Sequence, residues 1–306
     1  MTAAIGVGLL LAAGLGVVQP VSAAPQSDDQ ATYWMGGTGL PGGPPVPPSP
    51  TPMVVGGYDA TELYPGMASL QFIAHPTNGQ PSWHTCGGFL TGVPGVAAGW
   101  VVVAAHCVTV MDSRILRDPA NWQVRIGTNL RSAGGTLARV TQVVLHPEWD
   151  WFASGDVGDI AMLRLDRPVP HAPYLPLPVV DRDGKVRLLG WGTRDMIDLP
   201  EVLQEGDTTL AAAELCAAAA ITDDELCVDN RNGVAATPGD SGGPALQRIG
   251  SRWVAVGIAS RLTVGLPLGA GRAVYTSVAH YAAWMWWVMA TGRAEMPTRA
   301  TYALAG

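Results

Sequence analysis

The stretch Thr237–Pro244, which reads Thr-Pro-Gly-Asp-Ser-Gly-Gly-Pro, constrains this chain more than any other. Its glycines and prolines predict a tight turn. A serine in a turn acquires chemistry only when other segments bring it a base and a pocket for an oxyanion. The stretch therefore directs attention to histidines and carboxylates elsewhere in the chain.

Composition favours β-structure around this turn. The chain has 306 residues, enough for one large all-β domain or two ordinary ones, each with a full core. Its 38 glycines and 25 prolines are typical of many short strands joined by turns, and only the C-terminal region has a helical pattern. A net charge of −7, with 14% charged residues and no basic cluster, argues against nucleic acid as a partner.

The N-terminal region predicts secretion to the extracellular space. An uncharged apolar run from Ile5 to Val18 ends near the small residues Ala23 and Ala24, as in a signal peptide spanning residues 1–24. A membrane anchor is the alternative, but about 14 apolar residues fall short of the ~20 that cross a bilayer, so no stable membrane insertion is expected. Residues 25–53 are rich in proline and glycine and predict an extended linker or a propeptide.

Two upstream segments supply candidate partners for Ser241. An apolar strand, Trp100–Val103, runs into His106, and histidine is a suitable base because its pKa of about 6.5 lets it exchange a proton near neutrality. Asp159 opens a second apolar strand, Ile160–Leu165. The other five histidines lack such a context and are interpreted as structural or solvent-facing: His75, His84, His146, His171 and His280.

These segments, in the chain order His, Asp, Ser, resemble the motifs of the trypsin/chymotrypsin-like serine protease family, and the resemblance extends from about Val54 to Met289. It implies an all-β fold of two antiparallel six-stranded β-barrels packed together, at about residues 54–170 and 171–280. A C-terminal α-helix would follow at about residues 279–290. The protease domain would span residues 54–290, and residues 291–306 would form a flexible tail.

The resemblance implies a role for each motif residue. Ser241 would be the nucleophile, His106 its base and Asp159 the carboxylate that orients His106. Backbone N–H groups of Gly239 and Ser241 would form the oxyanion hole. The implied activity is that of a serine endopeptidase acting on proteins or peptides through an acyl-enzyme, without a metal or a cofactor. A catalytically silent binding module on the same fold and an esterase-biased serine hydrolase are the alternatives.

Residues flanking the serine turn predict the substrate pocket. Ala235 falls where trypsin-like specificity requires Asp, so the pocket base cannot pair with a substrate Lys or Arg. Leu262 and Ala273 stand at places often held by glycine, and their side chains would narrow the pocket. We therefore expect cleavage after small or medium apolar residues. Ser260 would support the triad beside the pocket, whereas Arg261, in place of the usual Trp, has no explanation in the sequence.

The segment Val54-Val55-Gly56-Gly57 resembles the start of the mature enzyme in this family. Cleavage before Val54 would free an amine that pairs with a buried Asp240 and holds the oxyanion loop in its working shape. Met53 stands where the family's precursors usually have Lys or Arg. Either a protease of another specificity activates the chain, or the motif only records ancestry.

Four cysteines in an exported chain favour disulfides over free thiols. The family resemblance pairs Cys86 with Cys107, which would clamp the loop that carries the histidine. It also pairs Cys216 with Cys227, across an alanine-rich segment that is expected to be helical. Thr237 stands where the family commonly has a further cysteine, so the disulfide at that edge of the pocket is absent.

Overall fold

The computed structural model describes residues 56–74, 76, 82–92, 98–151, 157–174, 184–193, 198–230, 233–263 and 271–297. The expected signal peptide at 1–24 and the linker or propeptide at 25–53 lie outside these residues, as does Val54. The end of the expected C-terminal tail, residues 298–306, also lies outside them.

Antiparallel strands are the main regular structure of the described residues, with one α-helix at their C-terminal end. The helix, α1, spans Val278–Thr291. The strands are, in chain order, β1 (Tyr58–Asp59), β2 (Met67–Ile73), β3 (Ser82–Thr91), β4 (Ala98–Val103), β5 (Trp122–Ile126), β6 (Thr136–Leu145), β7 (Ala161–Val169), β8 (Lys185–Gly190), β9 (Gln204–Ala211), β10 (Glu225–Val228), β11 (Pro244–Ile249), β12 (Arg252–Leu262) and β13 (Ala273–Ser277).

The first barrel closes in the order β2-β3-β4-β7-β6-β5. Its strands alternate as a half-buried sheet requires, because successive side chains point to opposite faces. In β6, Ala138 and Val140 are buried while Leu137, Arg139 and Thr141 are exposed. The inward side chains form a closely packed core.

The second barrel closes in the order β8-β9-β10-β13-β12-β11, since β8 pairs with both β11 and β9. The short strand β1 pairs with β9 at the edge of this sheet. Two closed six-stranded antiparallel barrels and a C-terminal helix therefore confirm the predicted fold class.

The helix α1 is bounded by residues suited to its two ends. Ser277 caps the start, where its hydroxyl accepts a hydrogen bond from the His280 N–H at 3.4 Å. Gly292 ends the helix in the left-handed conformation, with φ of 68°, and its N–H donates to the Val288 carbonyl. Trp284 is buried against the ring of His146, so the helix packs on the segment that precedes β7. None of the described helices is long and apolar enough to span a membrane.

Candidate active site

The first half of the site is a histidine-aspartate pair on the first barrel. His106 lies in a 3₁₀ turn, Ala105–Cys107, directly after β4, and Asp159 lies two residues before β7. Because Val103 pairs with Ala161 in the register of these strands, the two side chains meet at one edge of the barrel. His106 Nδ1 lies 2.8 Å from Asp159 Oδ2, and the His106 backbone N–H donates to Asp159 Oδ1 at 3.0 Å. One carboxylate thus fixes both the backbone and the ring of the histidine.

Asp159 is held from the second barrel as well. The Ser260 hydroxyl donates to Asp159 Oδ2 at 2.7 Å, and the Thr276 hydroxyl donates to the Asp159 carbonyl at 3.0 Å. Burial by itself raises the pKa of the Asp159 carboxyl, which is 1% exposed. The charge of His106 and the hydrogen bonds from His106 and Ser260 outweigh burial and lower the pKa below its ordinary value. The carboxyl is therefore ionised at neutral pH and accepts hydrogen bonds.

The surroundings of His106 restrain it but leave it accessible. The Cys86–Cys107 disulfide ties β3 to the turn that carries His106, with the two Cα atoms 6.3 Å apart. The Trp151 ring packs against the imidazole in a T-shaped arrangement, with ring centroids 5.9 Å apart. The His106 side chain is 18% exposed, so a ligand can reach it. Although Cys86, His106 and Cys107 form a cluster, the two sulfurs are bonded to each other and are not the thiolates that metals bind.

The second half of the site is the serine turn before β11. Ser241 is partly exposed and lies between Gly239, with φ of 100°, and Gly242, with φ of 77°. A Cβ on Gly242 would lie 2.5 Å from the Gly87 carbonyl oxygen, so only glycine fits at this close approach to β3. The Gly87 N–H donates to the Ser241 carbonyl at 2.8 Å, which fixes the turn against the first barrel.

The backbone N–H groups of the serine turn are oriented by its carbonyls. The Pro238 carbonyl accepts from the Thr193 N–H at 2.8 Å, so the Gly239 N–H of the same trans peptide points away from Thr193. Among the described residues, no acceptor takes the backbone N–H of Gly239 or of Ser241. These two donors are the ones that the sequence predicts for an oxyanion hole.

The buried residue His84, for which the sequence predicts no specific contact, supports this turn. His84 Nε2 lies 3.0 Å from the Gly239 carbonyl oxygen, and its Nδ1 lies 2.8 Å from the Ser69 hydroxyl. Burial lowers the pKa of His84 to about 4, so the ring is neutral and donates from Nε2 to the carbonyl. The interpretation of His84 as structural agrees with these contacts. No local pattern could have predicted its partner, which lies 155 residues away.

Asp240, next to the serine, is 3% exposed and turns into the second barrel. Its Oδ1 accepts from the Gly192 N–H at 2.7 Å, and its Oδ2 accepts from the Thr237 N–H at 2.8 Å and the Thr237 hydroxyl at 3.1 Å. A Cβ on Gly190 would lie 1.8 Å from Asp240 Oδ1, so glycine makes room for the carboxylate. Burial raises the pKa of Asp240 to about 6, and no cation pairs with it within the described ranges.

Three of the four residues predicted for the pocket are apolar, and all four lie in the second barrel. Ala235 and Ala273 are 3% and 4% exposed. Leu262 is opposite Ala273 in the register of β12 and β13, and its side chain packs on the core cluster that contains Ala273 and Tyr275. Ser260, which was predicted beside the pocket, uses its hydroxyl to hold the aspartate of the pair described above.

Both expected cysteine pairs are joined in the structure. The Cys216–Cys227 disulfide, with Cα atoms 5.7 Å apart, links β10 to the segment that precedes it. That segment is a 3₁₀ helix, Ala213–Ala219, and it ends at Ala220 in the left-handed conformation. The alanine-rich segment is therefore helical, as expected, but as a 3₁₀ helix and not an α-helix.

Two six-stranded antiparallel barrels with a histidine-aspartate pair and a serine turn at their junction define the chymotrypsin type of serine protease. A protein-family model described as Trypsin matches residues 54–285, and the chain belongs to this family of serine proteases. It is 28% identical over 257 residues to chymotrypsin-like elastase family member 1 of Canis lupus familiaris, which covers 78% of this chain and 93% of that relative. The proteins of the same name from Macaca fascicularis and Rattus norvegicus are also 28% identical, over 256 residues, which cover 78% of this chain and 90% of each relative.

Proposed function

We propose that this protein is a secreted serine endopeptidase that hydrolyses peptide bonds through an acyl-enzyme. The observation that carries the proposal is the hydrogen-bonded pair of His106 and Asp159, held at the barrel junction where the Ser241 turn is also fixed. A serine hydroxyl is a weak nucleophile, and an adjacent base that is oriented by a carboxylate activates it.

Each step of the proposed reaction uses a group described above. Ser241 Oγ attacks the carbonyl carbon of the scissile bond while His106 Nε2 takes the hydroxyl proton. Asp159 stabilises the imidazolium that forms, and the N–H groups of Gly239 and Ser241 donate to the oxyanion. His106 then gives its proton to the leaving amine and activates the water that hydrolyses the acyl-enzyme.

An unpaired strand edge supports an extended peptide as the substrate. The pairing of β11 with β12 ends at Pro244 and Ile258, whereas β12 continues to Leu262 along β13. From Ser260 to Leu262, the described residues provide no strand on the other side of β12. A substrate peptide can add to this edge through backbone hydrogen bonds, which leaves recognition of its side chains to the pocket.

We infer a preference for small or medium apolar residues before the cleaved bond. The expected pocket base is Ala235, which carries no charge, and the apolar side chains of Leu262 and Ala273, which face each other in the register of β12 and β13, would narrow the space. The elastase name of the relatives agrees with such a preference. A pocket of this kind discriminates by about 1–3 kcal/mol for each methylene.

Secretion and activation by cleavage belong to the same proposal. The expected signal peptide and the two disulfides are consistent with an extracellular protein. Asp240 is buried with a raised pKa, and a free Val54 amine beside it would supply the cation that favours its ionised form. The cut between Met53 and Val54 would need an activating protease that does not require Lys or Arg. Sequencing the N-terminus of the secreted protein tests this step.

Labelling with a fluorophosphonate probe tests the enzyme itself. Purified protein should be labelled in its cleaved form, and Ser241→Ala should abolish labelling while leaving the fold unchanged. If no processed form shows Ser241-dependent labelling, the chain is a catalytically silent binding module. Labelling with hydrolysis of esters but not of peptides would identify an esterase-biased hydrolase instead. A peptide library that shows cleavage after Lys or Arg would contradict the pocket assignment.

A further inference from the structure

Arg261, which has no explanation in the sequence, is anchored inside the second barrel. Its Nη2 donates to Glu225 Oε2 at 2.7 Å, and its Nη1 contacts Glu225 Oε1, so the pair is bidentate. Its Nε donates to the Ala219 carbonyl at 2.9 Å, and Nη2 lies 3.4 Å from the Ala220 carbonyl. The guanidinium therefore ties β12 to β10 and to the end of the 3₁₀ helix that precedes β10.

The pair is buried and its hydrogen-bonding groups are occupied. The side chains of Arg261 and Glu225 are 14% and 1% exposed. Glu225 Oε2 also accepts from the backbone N–H and the hydroxyl of Thr222, both at 2.9 Å. Burying an ion pair has a considerable desolvation cost, so the presence of this pair is not explained by stability alone. Because Glu225 takes the guanidinium, the charge of Arg261 is not presented to a substrate.

One contact of Arg261 leads to the candidate active site. Arg261 Nη1 lies 3.4 Å from the Ser260 hydroxyl oxygen, and that hydroxyl donates to Asp159 Oδ2 at 2.7 Å. A hydroxyl has one proton, and Ser260 gives it to Asp159, so a lone pair of the same oxygen faces the guanidinium. Glu225, Arg261, Ser260, Asp159 and His106 thus form one continuous chain of contacts.

We propose that Arg261, held by Glu225, is a positioning residue for the His106–Asp159 pair: it keeps the Ser260 hydroxyl directed at Asp159 and supplies a fixed positive charge behind that carboxylate. This inference rests on the proposed serine endopeptidase activity. The Arg261–Glu225 pair also ties β12 to β10. It thus links strands in the barrel that lacks the disulfide expected at Thr237.

The two charges of the anchor act on His106 in opposite directions. The charged and titratable side chains along this chain of contacts are His106, Asp159, Arg261 and Glu225. The positive charge of Arg261 disfavours the protonated imidazole, whereas the negative charge of Glu225 favours it. Loss of Arg261 should therefore raise the pH at which His106 is half-protonated, and loss of Glu225 should lower it.

The direct test is an NMR titration of the His106 ring in the full chain carrying Ser241→Ala, which needs no catalysis. Arg261→Gln should move the midpoint up by about half a pH unit or more, and Glu225→Gln should move it down by a similar amount. Arg261→Lys, which keeps the charge without the bidentate fork, should shift it less than Arg261→Gln. Shifts in one direction for both single variants, or no shift in folded protein, would overturn the inference.

Kinetics of the active chain give the second readout. Arg261→Gln should lower kcat by about tenfold or more with little change in KM, because the misplaced group is the base and not the substrate. Arg261→Lys should recover part of the loss in kcat. A rise in KM with an unchanged kcat would contradict a positioning role. An inactive parent protein would refute the proposed function, but the NMR titration would still decide this inference.

Arg187→Gln is the matched control. Arg187 belongs to the same barrel, its side chain is 15% exposed, and it forms a bidentate pair with Asp207. The substitution removes the same charge from a side chain of similar exposure that also pairs with a fully buried carboxylate, Glu205, at 3.2 Å. Within the described residues, no contact joins Arg187 to Ser260. It should leave both the His106 midpoint and kcat within error of the parent. A shift equal to that of Arg261→Gln would show a general charge effect and overturn the inference.

Discussion

Each barrel contributes one deeply buried aspartate to the site, and the two differ in how the protein compensates their charge. Asp159 receives hydrogen bonds and charge from side chains, above all from His106, and its pKa is lowered. Asp240 receives hydrogen bonds from the backbone N–H groups of Gly192 and Thr237 and from the Thr237 hydroxyl, and its pKa is raised to about 6. The charge of Asp159 is already compensated by the side chains around it, whereas Asp240 gains from a further positive charge.

This difference in charge compensation indicates that regulation can act on Asp240 more readily than on Asp159. A carboxylate whose ionised form is already favoured, such as Asp159, gains little from a further cation. A carboxylate whose ionised form is disfavoured, such as Asp240, is sensitive to a cation that arrives later. The proposed Val54 amine is such a cation. The turn that carries Ser241, the proposed nucleophile, is thus the part of the site that depends on a later event.

The largest expected effect is on the Asp159 side. Asp159→Asn keeps the shape of the side chain but removes the charge that orients and stabilises a protonated His106, so kcat should fall by roughly 10⁴. Steady-state hydrolysis of an alanyl peptide substrate measures it. Thermal unfolding of the same variant serves as the control for folding. A fall of less than tenfold in folded protein would show that Asp159 does not act with His106 in catalysis.

On the Asp240 side, a single methyl group should have the next largest effect. In Gly192→Ala the new Cβ would lie 2.4 Å from Asp240 Oδ2, so the carboxylate and the adjoining turn must move. Loss of the oxyanion donors should lower kcat by about 10²–10³. Gly99→Ala is the matched control, because nothing lies within 4 Å of a Cβ there. Equal activity of the two variants would contradict the role of this carboxylate in shaping the turn.

The pH dependence of stability separates the two aspartates. Asp240 binds its proton more tightly in the folded chain, with a pKa of about 6 against the ordinary 3.8, so the free energy of unfolding should rise as pH falls from 6 to 4. The full effect is on the order of 3 kcal/mol. The lowered pKa of Asp159 stabilises the folded chain above the ordinary pKa of 3.8, and this contribution should be lost only as pH falls below that value.

Urea unfolding of the uncleaved chain between pH 4 and pH 7, compared with Asp240→Asn, measures the contribution of Asp240. The difference between parent and variant should disappear at the acid end of this range. In protein that begins at Val54, the amine should lower the Asp240 pKa and flatten the curve. Identical curves for the uncleaved and cleaved chains would break the proposed pairing of Val54 with Asp240.

The smallest expected effect comes from the hydroxyl of Thr237. Thr237→Val removes the hydrogen bond of 3.1 Å to Asp240 but keeps the backbone donor and the shape of the side chain. The free energy of unfolding at pH 7 should fall by about 1–2 kcal/mol, because a buried carboxylate loses one donor. Thr237→Ser, which retains the hydroxyl, should remain within about 0.5 kcal/mol of the parent. Equal losses in the two variants would assign the effect to packing instead.

Local motifs were sufficient to predict the fold class and to nominate the site residues. The apolar strand that ends at His106, the strand that follows Asp159 and the glycine turn around Ser241 are each visible within a few positions of the sequence. Their predicted catalytic roles remain predictions. The two-barrel fold, by contrast, is confirmed.

The contacts that support these residues could not be predicted, because they join distant parts of the chain. His84 reaches the Gly239 carbonyl across 155 residues, and Ser260 reaches Asp159 across 101. The partner of Arg261 is Glu225 on another strand, and its position depends on the register of β12, β13 and β10. Sequence patterns identify side chains with chemical potential, and packing decides which of them meet.

The hydrogen bonds between the barrels have a consequence for the newly made chain. Asp159 of the first barrel is held by Ser260 and Thr276 of the second, and the Ser241 turn is held by Gly87 of the first. Neither barrel therefore has a complete candidate site until the two have docked. We expect a nascent or half-folded chain to be harmless to its neighbours and to the cell that makes it. For the proposed peptidase, docking of the barrels would provide a safeguard against self-digestion that acts before the proposed precursor cleavage.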